Sequence, residues 1–303
     1  MATRFSAATA ESNARSSFLV LFLVRSLMRV VLLTETAGPA TRALLHLGLR
    51  GITVATVLVA SRPTASLAVE TAAAIRSRSS RRVLGAALRR LAAVLDPPAR
   101  FLASGQFNGL AERAVVTESL NAPGMVRALE GERPDLLLLA ATGLVSTAIL
   151  GVPRVATLNA HPGLVPWVRG NGAVEYAIRH RVPVGVSVHH VDDGADTGDL
   201  LQRQLVPLTP SDTLGSIRQK AEELRWIVLA DVVWQFVCGS PPPRTPQSRR
   251  ARAARWPTSA ERGDAERLVT EGEAYRRYCA WRDIAEGDLL PAVDAAFDRE
   301  TLT

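Results

Sequence analysis

The chain alternates between short unbroken apolar runs and longer stretches in which apolar residues return every three or four positions. RVVLL (29–33) has the pattern of a strand buried on both faces. GPATRALLHLGL (38–49) follows, with Pro39 at a helix start and apolar residues at helical spacing. ITVATVLV (52–59) is a second strand. Strand, helix, strand without a break predicts a parallel βαβ unit and a Rossmann-like α/β sheet. Residues 65–95 read as helical, interrupted near Ser77, Ser79 and Ser80 and ended by Pro97-Pro98. FLAS (101–104) is a short strand candidate, and a helix is expected over 121–131. PDLLLLAA (134–141) is the strongest central strand, and VATLNA (155–160) is another. GVSVHHV (185–191) alternates and reads as a half-exposed strand, with LQRQLVPL (201–208) as its partner. Residues 212–237 form a long amphipathic helix. The expected fold is thus a mostly parallel Rossmann-like sheet followed by a short, mainly helical C-terminal region.

Breaks in the pattern suggest the organisation. Residues 1–27 precede the first convincing strand and are expected to be an extension with little order. Residues 28–240 form the main domain. SPPPRTPQSRRARAARWP (240–257) shifts to proline and arginine and marks a linker over 241–257, and 258–303 is a helical tail without obvious chemistry. Starting the chain at Met28 is expected to leave a soluble, active protein.

Composition adds limits. With 303 residues, 47% of them hydrophobic, the chain can bury a substantial core. The formal charge is +7, yet Lys220 is the only lysine. An arginine-rich compositional bias accounts for that as readily as a phosphate-binding surface, so a nucleic-acid partner is not favoured. Cys238 and Cys279 stand alone, without a CxxC or a nearby histidine, which argues against a zinc site and a disulfide scaffold. The apolar block in SSFLVLFLVR (16–25) is too short to span a bilayer, so stable membrane insertion is not expected and a cytoplasmic location is. TETAGPATR stands where a dinucleotide-binding turn would carry GxGxxG, which removes the main reason to expect such a cofactor.

Two segments carry candidate chemistry. In LNAHPGLVPWVRGNG (158–172), Asn159 and His161 are two positions apart and share a face if the strand continues. They would stand at a strand's carboxyl end, where open α/β sheets place their ligand crevice. In GVSVHHVDDGADTG (185–198), a strand runs into a turn bearing Asp192, Asp193 and Asp196. A metal held by His189, His190 and these aspartates is disfavoured, because adjacent strand residues face opposite ways and the spacing is not that of a calcium loop. A carboxylate supporting a histidine elsewhere is the better reading.

Together, NxHPGLxPxxRG (159–170) and the Asp of DTG, 35 residues after His161, resemble the catalytic domain of 10-formyltetrahydrofolate-dependent formyltransferases. That family acts on methionyl-tRNA, glycinamide ribonucleotide and amino sugars, and includes formyltetrahydrofolate hydrolases. The resemblance covers roughly 28–240 and is strongest over 134–220. It implies Asn159, His161 and Asp196 as the catalytic set, with His161 protonated by the influence of Asp196. It further implies folate contacts at Leu139, Ala140, Ala141, Thr142 and Gly143 and at Asp192 and Gly194, with Arg169 and Gly170 as substrate-side candidates, although Arg169 reads as readily as a scaffold arginine that braces the loop. Gly163 departs from the family's usual serine. The co-substrate implied is 10-formyltetrahydrofolate, without a metal, and the partner a small-molecule amine, with a homodimer considered as the assembly. The run RRARAAR (249–255) is expected to lie on a solvated linker away from the chemistry. A tRNA formyltransferase would carry a larger β-rich C-terminal domain, and a hydrolase a larger N-terminal one. Both stay as alternatives, as does a non-catalytic RNA-binding protein on the same scaffold.

Overall fold

A computed structural model describes residues 28–61, 109–247 and 254–284. The 1–27 extension, the 65–95 helical stretch, FLAS (101–104) and the tail beyond 284 lie outside the described residues.

Among the described residues seven strands form one sheet in the order β3-β2-β1-β4-β5-β6-β7. β1 (Val30–Thr34), β2 (Val54–Ala60), β3 (Ala111–Thr117), β4 (Leu136–Ala140) and β5 (Ala156–His161) run parallel. β6 (Gly185–His190) and β7 (Leu200–Leu205) close the other edge antiparallel. Helix α1 (Ala37–Leu49) links β1 to β2, and α2 (Pro123–Glu132) precedes β4. The short α3 (Thr147–Leu150) precedes β5, and α4 (Ala173–Arg179) lies between β5 and β6. The long α5 (Leu214–Val237) follows β7, and α6 (Ser259–Thr270) and α7 (Glu273–Arg282) follow it.

β1, β2 and β4 are buried at every position and almost wholly apolar because both faces are covered. Their period of two sorts side chains between two cores. Val30, Leu32, Leu136 and Leu138 join the cluster under α1, α4 and α5. Val31, Leu33, Leu137 and Leu139 join a second cluster with Met125, Leu129 and Ile149 from α2 and α3. Leaving β1, the chain builds β2 and β3 on one side and then returns to β4 on the other. The β1–β4 junction is therefore the switch point at which such sheets open a crevice. Its two strand ends are joined: the Thr34 hydroxyl donates to the Ala140 carbonyl at 2.8 Å, and Glu35 accepts the Gly143 N–H at 2.9 Å.

Two expectations require correction. β6 is buried rather than half-exposed. Its alternation is real, since Val186 and Val188 enter the core under α5. The polar face, however, turns toward the β5 loop, where Ser187 Oγ accepts the Val165 N–H at 3.1 Å. Sequence reading also passed over β3, which among the described residues pairs only with β2 and exposes Glu112 and Arg113. Among the described residues no helix is long and apolar enough to cross a membrane.

Candidate active site

β5 ends by bringing Asn159 and His161 to one face. The antiparallel register with β6 sets Asn159 opposite His189 and His161 opposite Ser187. The turn between β6 and β7 adds Asp196, with φ at 55° in the left-handed region. One Asp196 oxygen accepts the Gly170 N–H at 2.8 Å and lies 3.4 Å from His161 Nδ1. The other lies 3.3 Å from Asn159 Nδ2 and 3.4 Å from His189 Nε2. His189 Nδ1 lies 2.7 Å from the His190 carbonyl, so that nitrogen carries the donated proton. Asp192 shapes the same turn by accepting the Gly194 N–H at 3.1 Å and the Thr197 hydroxyl. Gly163 permits close approach: a Cβ there would meet His161 Nε2 at 2.8 Å and the Val168 carbonyl oxygen at 2.9 Å.

The protonation expected of His161 does not hold. Its ring is only 5% exposed, and burial lowers its pKa to about 4, with His189 and Arg225 adding to the effect. Asp196 pulls the other way and loses. Asp196 itself stays below the usual carboxylate range. Its burial opposes ionisation, but attraction from His161, contacts with His189 and the Gly170 N–H outweigh that. At neutral pH the pair is therefore a neutral imidazole beside a carboxylate. Nδ1 faces Asp196, and Nε2 is buried without a partner among the described residues.

These groups line a cleft of ≈ 800 Å³. Leu139, Ala141, Thr142 and Gly143 form one wall at the β1–β4 switch point, with Asp192 and Gly194 nearby. Ala140 stands behind that wall, buried, its carbonyl engaged by Thr34. Gly170 lines the cleft, whereas Arg169 is 8% exposed and absent from the lining. The burial of Arg169 fits a scaffold position in the loop better than contact with a substrate. Glu175, Arg218, Arg262 and Trp256 also line the cleft. Glu175 is buried and paired with Arg218.

Sequence reading missed several of these residues. His189 reaches Asp196 and Asn159 through strand register, which a single sequence does not display. Arg225, in the middle of α5, donates to the Ala160 carbonyl at 3.3 Å and to Glu222 at 2.6 Å, and its guanidinium lies over Trp226 at 4.1 Å. The C-terminal stretch, expected to lie away from the chemistry, contributes Ala254, Trp256 and Arg262 to the cleft. Arg249, Arg250 and Arg252 lie outside the described residues. Among the described residues no group of three or more His, Cys, Asp or Glu is placed to hold a metal ion.

A methionyl-tRNA formyltransferase of Legionella pneumophila (strain Corby) is 36% identical over 107 residues, covering 35% of this chain and 34% of that protein. One from Geobacillus sp. (strain WCH70) is 31% identical over 124 residues, covering 40% and 39%. The chain thus matches little more than a third of the length of these curated relatives. A sugar N-formyltransferase from Shewanella sp. FDAARGOS_354 shares the fold with a TM-score of 0.52 at 15% identity, over 80% of this chain and 88% of that one. A 4-N formyltransferase from Francisella tularensis gives 0.50 at 14% identity, over 80% and 86%. Residues 28–233 match the family described as formyl transferase, and the chain belongs to that family.

Proposed function

We propose that this protein transfers a formyl group from 10-formyltetrahydrofolate to the amino group of a small molecule. The observation that carries this reading is the meeting of Asn159, His161 and Asp196 in one cleft beside the β1–β4 switch point. The cleft's ≈ 800 Å³ suits small ligands better than a macromolecular surface. The folate would lie along Leu139–Gly143 and the Asp192–Gly194 turn, leaving Glu175, Arg218 and Trp256, which also line the cleft, for the acceptor.

The chemistry follows from the proton inventory. The acceptor nitrogen attacks the formyl carbon, its N–C bond forms, and the carbonyl oxygen becomes an oxyanion. Asn159 Nδ2 donates to that oxygen; such a preorganised donor is commonly worth roughly 3 kcal/mol. His161, neutral at rest, takes the amine proton as the tetrahedral intermediate forms. Asp196 stabilises the imidazolium so created, and the imidazolium in turn stabilises the oxyanion. When the bond to N10 of the folate breaks, His161 returns the proton to that nitrogen. Direct transfer needs no serine or cysteine nucleophile.

The likeness to methionyl-tRNA formyltransferases favours a second reading, with charged tRNA as acceptor. The test is to supply 10-formyltetrahydrofolate with a panel of amino sugars, amino-acid derivatives and other small amines, and separately with charged methionyl-tRNA. Folate release is followed by absorbance and acceptor mass by spectrometry. Formylation of a small amine supports the first reading; efficient formylation of charged tRNA alone replaces it with the second.

A further inference from the structure

We propose that residues 244–247 and 254–257, beyond the 28–233 region matched by the family, form a strap that positions Asp196, with Ala254 as its main positioning residue. The inference rests on the formyl-transfer reading for its kinetic consequence, but its geometry is independent of the substrate.

Two loops flank Asp196, and this segment ties both through the backbone. On one side, the Ala254 N–H donates to the Arg169 carbonyl at 2.7 Å and the Asn171 N–H donates to the Ala254 carbonyl at 2.8 Å. These bonds bracket Gly170 in a parallel bridge, and Gly170 supplies the N–H that Asp196 accepts. On the other side, Thr245 and Leu200 exchange N–H···O bonds at 2.8 and 2.9 Å, and the Gln247 amide donates to the Gly198 carbonyl. The carboxylate therefore sits between two fastened points. A third contact seats the strap: Gly172 has φ at 66°, and a Cβ there would overlap the Pro257 ring.

The strap is itself anchored. Arg255 donates to both carboxylate oxygens of Glu261, at 2.7 and 3.0 Å. Glu261 caps α6 by accepting the Thr258 N–H at 2.7 Å, and it pairs with Arg179 of α4 at 3.1 Å. α6 then buries Ala265 and Val269 in the core shared with α4.

The consequence follows from which bonds hold Asp196. Its contacts with Asn159, His161 and His189 are 3.3–3.4 Å long, and the Gly170 N–H, at 2.8 Å, is the short one. Gly170 has no side chain to fix its own position. Without the Ala254 bridge the donor drifts, the carboxylate turns, and the proton-accepting pair loses its alignment. Misplacement of about 1 Å costs on the order of a hundredfold in rate.

The test uses the full chain. Ala254→Pro deletes the N–H that reaches Arg169, Ala254→Gly keeps it, and Arg255→Ala cuts the exposed anchor. The five histidine side chains are followed by NMR, together with kcat and KM for 10-formyltetrahydrofolate and the thermal midpoint. In Ala254→Pro the His161 and His189 ring signals should move while those of His46 and His180 stay. kcat should fall tenfold or more, on the order of the misplacement cost, with KM within about twofold. Ala254→Gly should restore both properties, and Arg255→Ala should shift the same two histidines by less. Unchanged His161 and His189 signals in Ala254→Pro, or equal defects in the proline and glycine variants, overturn the proposal. If the proline variant does not fold, Arg255→Ala decides on the same signals. A wild-type protein that transfers no formyl group refutes the functional reading instead, and the histidine signals still judge the strap.

Discussion

At His161 two effects oppose each other: burial disfavours the charged ring, and Asp196 favours it. Burial wins, leaving a pKa of about 4. A histidine NMR titration should therefore find His161 still neutral at pH 6, and Asp196→Asn should lower its pKa further by removing the one carboxylate that raises it. A midpoint near 6.5 would show that the ring is not buried as described. The same shift predicts the sign of a stability change. The folded pKa lies below the unfolded value, so the unfolded chain takes up protons first as pH falls. The stabilisation is complete above about 6.5 and is lost as pH drops toward 4. His190, also lowered to about 4 chiefly by burial, acts in the same direction. Urea unfolding at pH 7 and pH 5 should show the loss, and a rise in stability at the lower pH would contradict it. For catalysis, His161→Ala should reduce formyl transfer by roughly a hundredfold or more in a folded protein, through loss of the proton acceptor and its imidazolium.

Among the elements, what the sequence displayed depended on whether the information was local. The spacing of Asn159 and His161 put them on one face, and the family motif pointed to Asp196. In the sequence alone His189 is no more than an unsuitable metal ligand, because its place beside Asn159 depends on antiparallel register. β6 shows the complementary difficulty: alternation identified the strand, but nothing local said that its polar side would face the site's own loop rather than water. β3 was missed because a partly exposed strand needs no continuous apolar run. A prediction at this scale concerns the sheet end remote from the cleft. There Glu132 is buried, accepts the Thr56 hydroxyl at 2.7 Å, and pairs with Arg29 and Arg113. Glu132→Leu leaves that hydroxyl without its partner and should cost roughly 2 kcal/mol of stability. Both arginines remain partly in water, which limits the loss. The variant's kcat at a temperature where it is folded should match wild type; a large fall there would mean that the two ends of the sheet are coupled.

For the whole molecule, the division into a catalytic domain, a solvated linker and a remote tail drew its boundaries from composition. The fold crosses them. Proline- and arginine-rich sequence near 240–257 resembles a linker, yet Thr245 and Ala254 make backbone bonds to the loops around Asp196. Such contacts use groups that every residue has, so side-chain composition gives no sign of them. Arg255 belongs to that arrangement, and neutralising it is expected to affect turnover even with a small-molecule acceptor, contrary to the solvated-linker expectation. The most direct test of the central claim uses 10-formyltetrahydrofolate labelled with carbon-13 in the formyl group. The label is followed by NMR with the wild-type protein and with His161→Ala, in the presence of the best small amine from the acceptor panel. The account predicts that the label moves from the folate to a formamide on that amine, with little free formate, and that His161→Ala slows this movement by about a hundredfold or more. Label appearing chiefly as formate, or moving to the amine equally fast in both proteins, would contradict it.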